Sequence, residues 1–287
     1  MERTHILMKL DDLIEGKIIK RPSKYIKSPY VADILYNNEE VLGHTASLGC
    51  CGLADANSII LMTPTKSTSI NAKCTHTVYL SLLQNGKNEQ IIGIHPKLAE
   101  KLTESALTSN LLTTLQNIKS YRRETSVYIK DKIDSRFDFT GVDQYGIPFI
   151  MEVKNVPLAD YEDVTSKERT KMDFSNRDVN SKVAYFPDGY RKKTSDTISP
   201  RALKHIRELT LIKTDLIESS NNIRCIMCYV IQRSDVNRFQ PSVIDPEYRY
   251  AFTDAIKAGV EIITMVVSWN RNGEAIFIRD DLPISIF

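Results

Sequence analysis

Several features that commonly identify a protein class are missing from this sequence. Net charge is almost absent: 38 Lys+Arg face 36 Asp+Glu over 287 residues, a formal +2. That balance excludes a histone-like polycation. With 42% hydrophobic and 26% charged residues, the composition also excludes a disordered or collagen-like chain. Long apolar runs are lacking. Residues 226–231 and 260–269 are short and interrupted, whereas a membrane span needs about 20 apolar residues, so no membrane partner is expected. The opening MERTHILMKLDDLIEG has no positive segment leading into an apolar stretch and a small-residue cleavage site, so no secretory signal is expected. The five cysteines are an odd set in a long chain, which points to reduced thiols and a cytoplasmic location. Glycine-rich phosphate loops and nucleophile elbows are absent as well. A near-zero total still leaves nucleic acid open, because charge can be unevenly placed.

What is present begins with short apolar stretches in residues 1–90, punctuated by Gly16, Gly43, Gly52, Pro64 and Gly86. Such spacing predicts a small antiparallel barrel or sandwich. After Pro96, the leucines at 98, 102, 107, 111, 112 and 115 follow near-helical spacing and predict a helix over residues 97–117 that opens a second domain, residues 91–287. Strands and helices then interleave. Residues 136–142 and 147–154 predict a hairpin turning at residues 143–146. Residues 159–196, polar and densely charged, predict a long loop or mobile insertion ordered by a partner. Ser199-Pro200 predicts a helix start, residues 222–232 a strand, residues 246–258 a helix closed by Gly259, and residues 260–268 another strand. The chain therefore reads as α/β (mixed α+β), with a mixed sheet in its second part.

The hairpin carries the chemistry. Strand alternation puts Glu152 and Lys154 on one face and Met151 and Val153 on the other. A turn centred near residues 144–145 would set Asp138 opposite Met151, one register step from Glu152. Two converging carboxylates repel unless a cation lies between them, and such oxygens suit Mg²⁺ or Mn²⁺. Lys154 could then orient a water or stabilise developing charge. A plain Lys–Glu pair on a β-ribbon satisfies the same spacing, and the motif alone leaves both readings open. Cys225 and Cys228 have Cys-x-x-Cys spacing, but they lie in an apolar run without a second close pair among Cys50, Cys51 and Cys74. They read as small buried side chains.

An ordered series of segments resembles one known family. It runs through Arg122-Arg123-Glu124, Ser135-Arg136-Phe137-Asp138-Phe139, Glu152-Val153-Lys154-Asn155-Val156 and Phe186-Pro187-Asp188. It continues in Lys204-His205-Ile206-Arg207-Glu208-Leu209, Arg238-Phe239-Gln240-Pro241, Ile244-Asp245-Pro246-Glu247-Tyr248 and Ala258-Gly259-Val260-Glu261. Over about residues 120–265 the chain is similar to the sugar fermentation stimulation protein A family, whose C-terminal half belongs to the PD-(D/E)XK nuclease-like superfamily. The resemblance implies an OB-like β-barrel in residues 1–90, followed by a restriction-endonuclease-like domain with a central mixed sheet flanked by helices. It implies Asp138 and Glu152 as metal ligands and Lys154 as the catalytic lysine. Glu124, at the end of a helical-looking segment, would complete the acidic catalytic and metal-binding set. Gln232 would be an accessory polar group. The family's His-Cys-Pro-Asn-Thr-Gly run is kept here only at His44 and Gly49. The stretch 163–184 looks like an insertion beside the site, either a DNA-contacting flap or a tolerated loop.

Positive charge is indeed uneven. Lys17, Lys20, Arg21, Lys24 and Lys27 occur without an acidic residue in residues 16–30, interleaved with Tyr25 and Tyr30. Cations and rings on one barrel face suit nucleic acid, and they equally suit a solubilising edge strand. Arg122, Arg123 and Arg136 could clamp a phosphate near the site, or one could pair with Glu124. His205 reads as structural or phosphate-facing. The expectation is a DNA-binding, metal-dependent nuclease. A non-catalytic DNA-binding or regulatory protein and a small-phosphate hydrolase are the rival readings, and a homodimer is left open.

Overall fold

Alternating apolar and polar residues broken by turn residues divide the first third of the chain into short strands. The computed structural model describes residues 4–46, 52–65, 73–85, 88–187, 197–215 and 222–286. Its early strands are β1 (His5–Lys9), β2 (Ile14–Lys20), β3 (Val31–Tyr36), β4 (Glu39–Thr45), β5 (Ile59–Pro64), β6 (His76–Asn85) and β7 (Asn88–Gly93). Helix α1 (Lys97–Thr108) leads to β8 (Ser120–Ile129), β9 (Ile133–Val142), β10 (Pro148–Val156), β11 (Ala159–Asp160), α2 (Ser166–Arg169) and β12 (Lys182–Phe186). The rest is α3 (Pro200–Asp215), β13 (Arg224–Ile231), β14 (Val236–Pro241), α4 (Pro246–Lys257), β15 (Glu261–Trp269) and β16 (Glu274–Arg279). No described helix is long and apolar enough to cross a membrane.

Strands β2 to β7 form one sheet in the order β4-β3-β2-β5-β6-β7, and a parallel β4–β6 pairing closes it into a ring. Ile18, Ile34, Ile60, Met62, Val78 and Ile92 fill its interior. This is the OB-like barrel that the resemblance implied. Strand β1 does not join it. Residues 5–9 pair antiparallel with β16 at the edge of the other sheet, so the barrel proper begins with β2.

The second sheet runs β1-β16-β15-β13-β10-β9-β8. Its β8–β9–β10 meander is antiparallel, whereas β10, β13 and β15 lie parallel. Helix α1 buries Leu98, Leu102 and Ala106 with Met151, Val153 and Cys228 on one face. On the other face Leu203, Ile206 and Leu209 of α3 and Phe252 of α4 pack with Met227 and Tyr229. Each such side chain contributes about 1.5–3 kcal/mol. A mixed sheet with helices on both faces is the architecture expected. Cys225 and Cys228 are buried in β13, where desolvation pushes both thiols up to about 12.

Three local expectations differ. The helix predicted over 97–117 stops at Thr108, because Asn110 turns left-handed (φ 57°) and its side chain accepts from the Asn117 amide at 2.7 Å. Leu112 and Leu115 are buried from the turn-rich segment that follows. Glu124 lies within strand β8, not at a helix end; Tyr121, Thr125, Val127 and Tyr128 favour extended backbone there. The stretch 159–187 is not waiting for a partner. Strand β12 pairs with β11 and β14 in a three-stranded sheet, and buried Asp163 accepts from Gln240, Ser242 and the Val243 amide at 2.7–3.1 Å. Three acceptor bonds to one buried carboxylate offset much of its desolvation. Residues 188–196 lie outside the described residues.

Gln232 clamps the seam between barrel and sheet. Its side chain donates to Asn155 Oδ1 and accepts from Trp269 Nε1, both at 2.8 Å, and its carbonyl accepts from the Gly93 amide at 3.2 Å. Through Asn155 it touches the lining of the acidic cavity. A Cβ at Gly93 would lie 2.8 Å from both Gln232 Cδ and Trp269 Nε1. Gly93→Ala is therefore expected to destabilise the protein by roughly 1–3 kcal/mol through overpacking. Thermal melting checks this; an unchanged midpoint would remove Gln232 from its clamping role.

Candidate active site

The site is built by the β9–β10 hairpin. Asp143 Oδ1 accepts from the Tyr145 and Ile147 amides at 2.9 Å, and Gly146 takes φ 87°. The loop is centred on Tyr145, so Phe139 faces Met151. That is one step from the expected pairing of Asp138 with Met151. Beyond this pair the side chain of Asp138 replaces the main-chain ladder: its Oδ2 accepts from the Val153 amide at 2.7 Å. The substitution holds Asp138 beside Glu152.

Glu152 is 3% exposed. Its Oε1 accepts from Lys154 Nζ and bonds His205 Nδ1 on α3, while Lys154 Nζ lies 3.4 Å from His205 Nδ1. The alternation expected of β10 therefore holds, with Met151 and Val153 in the core behind. Its other oxygen, Oε2, is buried with no hydrogen-bond partner. Such an orphaned carboxylate oxygen is costly unless something else meets it.

The two carboxylates are pushed apart electrostatically. Burial favours the neutral form of Glu152, but the charge of Lys154 and the His205 hydrogen bond outweigh it and hold the group below the usual range. Asp138 goes the other way. Burial first, then the negative charge of Glu152, lift it to about 7. Two neighbouring acids that cannot both ionise cheaply are the arrangement that a cation relieves.

Both face a cavity of about 300 Å³ that is also lined by Lys154, Asn155, Glu100 and Arg201. Glu100, from α1, is the acidic residue the sequence reading missed; its charge also acts on Asp138. Helical spacing carries no signal for it: two residues from both Leu98 and Leu102, it falls on the side of α1 away from those leucines, and only the packing of the helix places it at the cavity.

Glu124 does not join this group. It sits at an irregularity of β8 (φ 49°) between the pairs Arg123↔Phe139 and Thr125↔Phe137, with a side chain 53% exposed and 3.4 Å from Arg136. Arg136 is thus its partner. Arg123 bonds Glu100 and Glu104 at 3.2 and 2.9 Å, and Arg122 is exposed on the same strand.

On the barrel, Lys17, Lys20 and Lys27 are exposed. Arg21 donates to the Pro29 carbonyl at 2.9 Å, and Lys24 pairs with Glu40 at 2.7 Å over the 66%-exposed Tyr25. Two of the five cations thus hold the loop itself, which is anchored by Asp33 through the Lys24 amide.

Among the described residues, no three His, Cys, Asp or Glu side chains are grouped as a complete metal cage. The donor set therefore fits only an ion satisfied by about two carboxylates plus water and phosphate, which is how Mg²⁺ is commonly held. Asp138 and the free oxygen of Glu152 meet that description.

Comparison with known proteins agrees with the architecture. The family described as "Sugar fermentation stimulation protein RE domain" matches residues 97–273. A sugar fermentation stimulation protein homolog from Crocosphaera subtropica is 31% identical, with 88% of this chain and 87% of that protein aligned. Homologs from Idiomarina loihiensis and Clostridium novyi are each 26% identical over 96% of this chain and 97% and 99% of theirs. The structure of Pyrococcus furiosus SfsA in complex with Ca²⁺ superposes with a TM-score of 0.73 at 19% identity, covering 98% of this chain and all of that one. With a family match across more than half of the chain and relatives aligned almost end to end, the chain belongs to the sugar fermentation stimulation protein (SfsA) family.

Proposed function

We propose that the Asp138–Glu152–Lys154 cavity hydrolyses phosphodiester bonds of nucleic acid, with DNA favoured, using Mg²⁺ or Mn²⁺. The observation that carries this reading is the orphaned, buried Oε2 of Glu152 beside a carboxyl raised to about 7, both at an open cavity. The Ca²⁺ complex of the Pyrococcus furiosus relative supports it, since Ca²⁺ is also bound through oxygen.

Asp138 and Glu152 would hold the ion, which when bound supplies Lewis-acid polarisation of a phosphoryl oxygen and an acidified water. Lys154 places an ammonium against Glu152, where it can orient an attacking water and stabilise charge developing on the phosphate. His205 fixes Glu152 from α3. Asn155 and Arg201 line the same cavity and offer donors to phosphate oxygens. Lys17, Lys20, Tyr25 and Lys27 on the barrel, with Arg122 on β8, would carry the strand away from the site.

The test is cleavage of single- and double-stranded DNA and RNA with Mg²⁺ or Mn²⁺, comparing wild type with Glu152→Ala and Lys154→Ala. Metal-dependent cleavage lost in both variants is expected. Cleavage that survives both would defeat the site assignment. Salt-dependent binding without cleavage under either metal would instead favour a binding protein.

A further inference from the structure

A second cavity of about 520 Å³ lies where the barrel meets α1, lined by His44, Thr77, Tyr79, His95, Lys97 and Lys101. Among the described residues, no acidic side chain lines it. Lys97 and Lys101 are exposed and stand four residues apart, hence on one face of α1. Tyr79 and His95 are stacked, with ring centroids 4.9 Å apart and planes at 21°. His95 Nδ1 is buried without a hydrogen-bond partner. Burial, reinforced by His44, Lys97 and Lys101, pushes His95 down to about 4, so its ring is neutral near pH 7. Cations for phosphate, an aromatic pair for a base and an unused ring nitrogen are thus collected in one place. Pro96 lines both this cavity and the acidic one. Helix α1 therefore turns Glu100 toward the acidic cavity and Lys97 and Lys101 toward the basic one.

We infer that this junction cavity is a nucleotide subsite, taking a phosphate on Lys97 and Lys101 and its base against the Tyr79–His95 pair. The occupant is a nucleotide of a single strand that continues past Pro96 from the acidic cavity, since a base can reach stacked rings only when it has left a duplex. This rests on nucleic acid as the ligand in the proposed function, and it does not rest on hydrolysis.

The experiment is fluorescence anisotropy with a labelled single-stranded oligodeoxythymidylate of about 12 nucleotides, in EDTA so that nothing is cut. Wild type is compared with Lys97→Ala/Lys101→Ala and with Lys97→Arg/Lys101→Arg. The alanine pair is expected to weaken binding about tenfold or more, and to shallow the salt dependence by roughly 1.4, the slope for two phosphate contacts on a single strand. The arginine pair should restore both. Competition with thymidine monophosphate separates the sources. Weak competition assigns the site to a strand, and competition as strong as that of the oligonucleotide assigns it to free nucleotide. Unchanged affinity and slope in the alanine pair, a loss the arginine pair fails to restore, or no binding by wild type would overturn the inference. Wild type that binds with this pattern yet never cleaves with Mg²⁺ or Mn²⁺ would end the hydrolytic reading and leave the subsite standing.

Discussion

Lys154→Met is expected to lower metal-dependent cleavage by roughly 10²–10³-fold, the scale for losing one charge-stabilising donor, while divalent-ion binding persists. Methionine keeps most of the volume of a side chain that is only 12% exposed, but it removes the ammonium beside Glu152. Removing one partner of a buried pair can cost about 3–5 kcal/mol. Here His205 still bonds Glu152 Oε1, so a smaller loss is expected, and a bound ion should reverse it. Glu152→Gln behaves differently. It is nearly isosteric, and it deprives the ion of a carboxylate. It is therefore expected to lose both cleavage and Mn²⁺ binding. Single-turnover cleavage together with Mn²⁺ calorimetry separates the two variants. Equal loss of Mn²⁺ binding in both would assign Lys154 a structural role.

The second large effect is on stability against pH. Asp138 has a folded value of about 7 against an ordinary carboxylate value of about 3.9 in the unfolded chain. Its native form therefore prefers the proton. Its contribution is fully present below pH 4 and is lost as pH rises through about 7. Full ionisation costs on the order of 2–4 kcal/mol, which lowers the metal-free melting point by several degrees between pH 5 and pH 8. A divalent ion binds the ionised form, so its stabilisation grows over the same interval, and binding at pH 6 releases a proton. Asp138→Asn should abolish both dependences. Melting scans at pH 5, 6, 7 and 8, with and without Mn²⁺, read this directly. A metal effect equal at pH 5 and pH 8 would contradict it.

The chemistry of the hairpin was legible because strand alternation is local. Apolar Met151 and Val153 around Glu152 and Lys154 state which pair faces the core, and the turn residues nearly fix the register. One residue of loop length separated the expected pairing from the observed one, and the Asp138 bond to the Val153 amide made good the difference. Glu100 was not legible in the same way. It is one acid among several on a helix, and only the packing of α1 on β10 shows that it faces Asp138. The helical expectation around Glu124 fails for the complementary reason: residues 120–129 look helical by their neighbours, while pairing with β9 makes them a strand. Likewise the β12 run Lys182–Phe186 is a short stretch hidden among charges, and its partner β14 is distant in sequence. Contacts between remote segments leave little trace in either one alone.

The most direct test of the central claim is the anomalous difference density of crystals soaked in Mn²⁺ at pH 7.5. The account predicts one strong peak within bonding reach of Asp138 and Glu152 Oε2, present in wild type and Lys154→Met and absent from Glu152→Gln. No peak there in the wild type, with Glu152 still bonded only to Lys154 and His205, would contradict it.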